Sequence, residues 1–108
     1  MINISNMTSF QIRLDSGVVI KMKKITGTSP AVGANGTIAH GLDRSKILAV
    51  QVLILNDSGN CIPPGFTSVA NHEFDFFVEM DDVRIYCVAA NSSSIDGNDV
   101  HILIIYEE

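Results

Sequence analysis

The chain has 108 residues, of which 46% are hydrophobic and 18% charged, and its formal net charge is −5. This length and composition predict one folded domain, residues 1–108, and argue against a disordered chain. The acidic excess argues against general nucleic-acid binding, which needs a basic face to displace counterions. No apolar stretch approaches the ~20 residues of a membrane helix, so we expect no membrane insertion, and the N-terminus lacks the features of a signal peptide.

The N-terminal third predicts a β-hairpin followed by a loop. Apolar and polar residues alternate over 9–14, turn residues occupy 15–17, and alternation resumes over 18–25. Residues 27–36 are rich in Gly, Ser, Thr, Pro and Asn, which predicts a loop. The second strand carries the only basic cluster, which we interpret as the solvated face of a strand: Lys21, Lys23 and Lys24.

The next stretch contains His40, between a short apolar run and a charged run. Residues 37–40 predict a short strand and residues 41–45 a tight connection. His40 has two interpretations, as a member of a metal or catalytic site or as a structural residue of the turn. We favour the structural role, in which Gly41 permits the backbone turn and His40 hydrogen-bonds across it.

The middle of the chain contains the most apolar segment. Residues 46–55 are apolar on both faces, which predicts a strand covered on both sides. Residues 56–60 form a turn signal. Residues 61–66 contain two prolines and cannot form a central strand, because proline lacks the donor N–H. Alternation over 74–80 predicts a further strand.

The C-terminal part predicts two more strands joined by a polar loop. The strands cover 82–90 and 100–106, and the loop covers 91–99. No segment keeps a 3.6-residue period over a helical length. The pattern as a whole predicts an all-β fold, an antiparallel β-sandwich of jelly-roll type with about seven to eight strands.

The strands that are apolar on both faces carry more apolar residues than one thin sandwich needs to fill its interior. A second copy of the chain covering the excess would explain the pattern, and we favour this oligomer. The alternative is a central strand beneath long loops.

Three histidines invite a metal-site hypothesis: His40, His72 and His101. They lie in separate segments without HxH or HExxH spacing, so we favour three unrelated histidines. Two segments carry oxygen ligands of the kind found in calcium-binding loops: the carboxylate run at 79–82 and the Asp-Gly-Asn-Asp run at 96–99. Neither has the ligand spacing of a complete calcium loop, and we interpret both as turns.

The motifs of nucleophile elbows, P-loops and dinucleotide-binding loops do not occur. We therefore expect no enzymatic activity and no cofactor. For Cys61 and Cys87 we expect two buried reduced thiols, with a disulfide as the alternative if the strands bring them together.

The polar loops offer short donors and acceptors suited to sugar hydroxyls, and loops at the end of a sandwich are natural recognition sites. The absence of Trp weakens the expectation of an aromatic sugar platform. The candidate ligand-binding residues are Asn35, Asn56, Asp57, Asn60, Asn91, Ser93, Asp96, Asn98 and Asp99.

The run GTSPAVGANGTIAHGLDRSKILAVQVLI, followed by PPGF and a last hairpin, resembles small β-rich domains of bacteriophage structural proteins. These include the C-terminal domains of tail fibres, head fibres and related adhesins, and the resemblance covers about residues 27–106. It implies a trimeric β-sandwich that binds a host surface or decorates a virion. It carries over no particular binding residue.

The leading hypothesis is a homotrimeric virion structural or receptor-binding module, a fibre tip or decoration protein located in the phage particle. Its loops would attach to a host-surface glycan or protein, with affinity raised by multivalency. One alternative is an extracellular carbohydrate-binding or adhesion domain of a bacterial cell. Another is a small metal-dependent enzyme that uses the three histidines.

Overall fold

The computed structural model describes residues 10–108, so Ser9, the expected start of the first strand, lies outside the described residues. Within this range the chain forms eight strands and one 3₁₀ turn at Arg44–Lys46. The strands are β1 (Phe10–Arg13), β2 (Val19–Thr28), β3 (Asn35–Ala39), β4 (Ile47–Leu55), β5 (Cys61–Ile62), β6 (Phe74–Val78), β7 (Asp82–Cys87) and β8 (Asp99–Glu107).

The strands form two antiparallel sheets. The larger sheet has the order β1-β2-β8-β4-β5 and the smaller sheet the order β3-β7-β6. The chain passes repeatedly between the sheets, and its last strand inserts between β2 and β4, which gives a jelly-roll-like strand order. The predicted all-β antiparallel sandwich, with seven to eight strands, is confirmed.

The core lies between the two sheets because alternate residues of each strand point inward. Burial alternates strictly along β7, and on β8 from Asp99 to Ile104, so that the side facing the other sheet is enclosed and the opposite side is not. The inward residues form one cluster: Val52, Ile54, Ile62, Phe74, Val83, Ile85, Cys87, Ile95, Val100, Ile102 and Ile104.

Strand β4 departs from the sequence prediction in two respects. Its register against β8 shifts between Ile47 and Ala49, so that Leu48 is an extra residue and is 53% exposed. The shift puts Val50 and Val52 on the same inward side as Ile47, which simple alternation from Ile47 does not give. The outward side of the strand is not covered within the single chain, because Ala49 and Gln51 are exposed, so the alternative of a central strand beneath long loops does not hold.

Strand β2 is longer than predicted. Residues 27 and 28, expected in a loop, continue the pairing with β8, and Asn35 and Gly36, expected in the same loop, begin β3. A Cβ atom on Gly27 would lie 2.5 Å from Cδ1 of Ile38, so glycine here lets the side chain of β3 pack directly onto β2.

The three lysines of β2 do not share one solvated face. Lys23 points inward, and its Nζ donates to the carbonyl of His40 at 2.6 Å. Lys21 lies on the same side as Lys23 and pairs with Glu108 at 3.0 Å. Lys24 is on the opposite side and exposed.

The two cysteines are free thiols in different environments. Cys61 is exposed on the short edge strand β5, so the prediction that both thiols are buried is wrong for Cys61. Cys87 is buried in the core, and burial, reinforced by the charge of Asp96 and opposed by a hydrogen bond with Ser92, raises its pKa from 9.0 to about 11.

We predict that only one thiol per native chain reacts with a thiolate-specific reagent such as DTNB at pH 8. Cys87 stays protonated and enclosed at this pH, because its pKa lies near 11, whereas Cys61 is open to solvent. Cys61→Ser should abolish the fast reaction, and unfolding in guanidinium should release the second thiol. Two fast thiols in the native protein would contradict the burial of Cys87.

We predict that Phe74→Ala lowers the free energy of unfolding by about 3–5 kcal/mol, because it leaves a cavity in the core. Phe77→Ala is the matched control. Both residues lie on β6, but Phe74 is 0% exposed and Phe77 is 57% exposed. The control should change the free energy by about 0.5 kcal/mol or less. Urea denaturation measures both values, and equal losses would contradict the assignment of the two faces.

Candidate functional site

The polar loops all leave the sandwich at the same end. Thr28, at the end of β2, pairs with Asp99 at the start of β8, and Ile54, near the end of β4, pairs with Val100. In the smaller sheet Asn35, at the start of β3, lies beside Tyr86 near the end of β7. This end, called the loop end below, therefore combines the connections 29–34, 56–60, 63–73 and 88–98.

Asn98 ties these connections together. Its side-chain amide donates to Leu55 O and Asp57 Oδ1, both at 2.9 Å, and to Ser94 O at 3.2 Å. The bonds join the 88–98 loop to the 56–60 turn at the end of β4. A side-chain amide that bridges three acceptors is held in place, so Asn98 organises the loops that border the clefts.

Ser29 attaches the 29–34 loop to the same region. The side chain is buried, and its hydroxyl donates to Ile95 O at 2.6 Å and accepts from the Asn98 amide at 2.9 Å. The Ser29 amide in turn donates to Asn98 O at 2.9 Å. Ser29 and Asn98, which lie 69 residues apart in the sequence, thus hold their two loops together by reciprocal hydrogen bonds.

Asn56 shapes the 56–60 turn and contacts the 63–73 loop. Its Oδ1 accepts from the amides of Ser58 at 3.0 Å and Asn60 at 2.8 Å. Its Nδ2 donates to His72 Nε2 at 3.2 Å, and His72 Nδ1 therefore carries the hydrogen that it donates to Ala70 O at 2.8 Å. Both ring nitrogens of His72 are thereby used within the protein.

Asn91 fixes the far side of the 63–73 loop. Its Oδ1 accepts from the Asn71 amide at 2.8 Å, and its Nδ2 donates to Glu73 Oε1 at 2.8 Å. Asn71 has a φ of 70°, a left-handed conformation that asparagine tolerates better than most residues. Among residues 10–108 no buried side-chain nitrogen or oxygen lacks a hydrogen-bond partner.

Two adjoining clefts open on this framework. The first, called the loop-end cleft, has a volume of about 410 Å³ and is lined by Asn56, Asp57, Ser58, Asn60, Ile62, Phe66, Val69, His72 and Ser94. The second has a volume of about 400 Å³ and is lined by Leu55, Asn56, Asp57, Gly59, Gly97, Asn98 and Asp99. Asn56 and Asp57 border both clefts.

The structure brings together five of the nine candidate ligand-binding residues. Asn56, Asp57, Asn60, Asn98 and Asp99 line the two clefts. The other four lie at the loop end without lining either cleft: Asn35 at the start of β3, and Asn91, Ser93 and Asp96 in the 88–98 loop.

The apolar part of the lining of the loop-end cleft was not among the predicted site residues and consists of Ile62, Phe66 and Val69. The ring of Phe66 also meets the His72 ring edge-on, with centroids 6.0 Å apart. Their signal in the sequence is the PPGF run, whose prolines interrupt the strand and leave an aromatic residue in a loop.

His40 lies at the opposite end of the sandwich and is fully buried. Its Nδ1 accepts from the Leu42 amide at 3.0 Å across the turn, so Nε2 carries the hydrogen and donates to Glu79 O at 3.0 Å. Gly41, between His40 and Leu42, has a φ of 67°, which the turn requires. The ring thereby links the end of β3 to the β6–β7 turn.

The histidines of the metal-site hypothesis are not brought together. His40 and His72 lie at opposite ends, and His101 is on the side of β8 that faces away from the core, paired with Thr26 and Leu53. Of the carboxylates, Glu79 accepts from Arg84 Nε at 2.6 Å. Within residues 10–108, no group of three or more His, Cys, Asp or Glu side chains could hold a metal ion.

Comparison with protein-family models, with curated proteins and with solved structures found no match for this chain. In the part of the chain that the structure describes, no helix has the length and apolar character needed to cross a membrane. The class that can be stated is an antiparallel β-sandwich with a cleft-bearing loop end.

We predict that Asn98→Asp lowers the free energy of unfolding by about 2–3 kcal/mol, because a carboxylate cannot donate to the acceptors that the amide now reaches, and it repels Asp57. Asn60→Asp introduces the same charge at an exposed position of the same loop end and is the control. Urea denaturation measures the stability, and amide hydrogen exchange shows whether the 56–60 and 88–98 loops loosen. Equal effects of the two substitutions would contradict the role of Asn98.

Proposed function

We propose that the chain is a virion structural or receptor-binding module of a bacteriophage, a fibre tip or decoration protein that attaches to a host surface through its loop end. The observation that carries the proposal is the loop-end cleft, which sits on loops held by their own side-chain hydrogen bonds. A framework ordered before binding reduces the entropy lost when a ligand is bound.

The chemistry of the cleft favours a glycan as the ligand. Its lining combines apolar side chains, Ile62, Phe66 and Val69, with the polar side chains of Asp57 and Asn60. Sugars present hydroxyl groups at their edges and C–H groups on their ring faces, so a lining with both polar and apolar groups can contact both. A surface protein loop is the other ligand of this proposal and would use the same groups.

The module acts as a homotrimer. A single shallow cleft with few donors binds weakly, and several clefts presented together on one particle raise the overall affinity without any new contact.

A bacterial carbohydrate-binding or adhesion domain is the second candidate function, because the same cleft would serve it equally well. The two are separated by where the chain is found. Mass spectrometry of purified phage particles detects the chain if it is a virion component, whereas an adhesion domain is detected on the bacterial surface in cells without phage.

We predict that the protein binds specific oligosaccharides on a glycan array and that Asn60→Ala weakens the binding of the best ligand about fivefold. A single neutral hydrogen bond contributes about 1 kcal/mol, which corresponds to this factor. Val69→Asp, which puts a charge on the apolar part of the cleft lining, should reduce binding further. Isothermal titration calorimetry with the best oligosaccharide measures both effects.

Asn35→Ala is the matched control, since Asn35 is equally exposed at the loop end but lies outside the cleft. It should bind like the unchanged protein. If no glycan on the array is bound, the proposal that the ligand is a glycan is wrong. If the cleft variants bind as well as the control, the proposal that the cleft is the binding site is wrong.

A further inference from the structure

The larger sheet has an apolar outer side. The residues of β1, β2, β8 and β4 that point away from the smaller sheet form a surface called the outer face: Ile12, Ile20, Met22, Lys24, Thr26, Thr28, Ala49, Gln51, Leu53, Leu55, Asp99, His101, Leu103, Ile105 and Glu107. The pairing of Met22 with Ile105 and of Lys24 with Leu103 places these side chains on one side.

The smaller sheet has the opposite character on its outer side. Its outward residues are mostly polar or charged: Asn35, Thr37, Ala39, Asp75, Phe77, Asp82, Arg84 and Tyr86. The chain has twelve acidic residues, yet the outer face carries only Lys24, Glu107 and, at the loop end, Asp99 as full charges. Removing this face from water therefore leaves few charges to desolvate.

The size of the outer face fits a contact between folded chains. Strands β2, β8 and β4, of nine or ten residues, and the four-residue β1, at about 3.3 Å per residue and about 4.8 Å apart, give a face up to roughly 30 Å long and 19 Å wide, or about 500 Å² in projection. The accessible area of a corrugated surface exceeds its projection, which brings it close to the ~800 Å² that each partner contributes to a standard interface.

The width of the face also suits three copies around an axis parallel to the strands. Three sheets about 19 Å wide enclose a triangular prism whose axis lies about 5.5 Å from each sheet. Half of the ~10 Å separation of stacked sheets is about 5 Å, so side chains from three such faces would fill the space without a channel.

We infer that the outer face is covered by other copies of this chain. The inference assigns a surface to the homotrimer proposed above and rests on that part of the proposed function. The contact is made by Ile12, Met22, Leu103 and Ile105, with Met22 38% and Ile12 49% exposed in the single chain. Burial of these side chains provides the driving force.

The test measures mass by light scattering coupled to size exclusion, on the full chain at tens of micromolar. The unchanged protein should have about three times the 11.7 kDa mass of one chain. Met22→Glu places an unpaired charge in the contact and should weaken association at least about a hundredfold, giving monomers. Ile12→Glu, on the edge strand β1, should act in the same direction.

Phe77→Glu is the matched control, because it puts the same charge on an exposed apolar residue of the other sheet. It should leave the mass unchanged, and circular dichroism should show the same strand content in all three variants. A monomeric unchanged protein, or a Met22→Glu variant of unchanged mass, overturns the inference. A dimer that Met22→Glu dissociates supports the outer face and refutes the homotrimer of the proposed function.

Discussion

The burial of strand β8 between β2 and β4 is the interaction on which the rest of the structure depends. Its inward residues Val100, Ile102 and Ile104 are all but completely enclosed, and each contributes roughly 1.5–3 kcal/mol through the hydrophobic effect. The strand also hydrogen-bonds to a neighbour on each side, so it joins the hairpin β1–β2 to β4 and β5. Because β8 follows the other four strands of the larger sheet along the chain, that sheet forms only after β8 has been synthesised.

The position of β8 also determines where the loops meet. Its first residue, Asp99, pairs with the end of β2, and the next lies beside the end of β4, so the connections on either side leave the sheet together. At that point regular backbone pairing ends, and side-chain amides and hydroxyls bridge the loops, as Asn98 and Ser29 do. The polar richness of these loops is therefore first a structural requirement. The surface left over, around Asp57 and Asn60, is what the proposed ligand would meet.

The fold was more predictable than the site because strand periodicity is a local property of the sequence. Alternation located β7, and the apolar run at 100–106 located β8 without showing which of its sides is buried. Alternation failed at Leu48, where an inserted residue shifts the register, and at Gly27, whose place in a strand depends on the approach of Ile38 from a distant segment. The arrangement of the loop end depends on such distant partners throughout. Asparagine composition pointed to the loops that border the clefts, but it could not separate Asn98, whose amide is used internally, from Asn60, which lines the cleft.

The outer face and the loop end are related by the direction of the strands. Strands β2 and β8 carry the apolar residues of the outer face along their length. The same two strands carry the polar loops at one of their ends. A rotation axis parallel to the strands preserves their direction, so copies packed through the outer face carry all of their clefts at the same end. An axis across the strands would point the clefts of different copies in opposite directions. Only the parallel arrangement lets one surface engage several clefts at once, which is the condition under which weak binding by each cleft becomes strong attachment by the assembly.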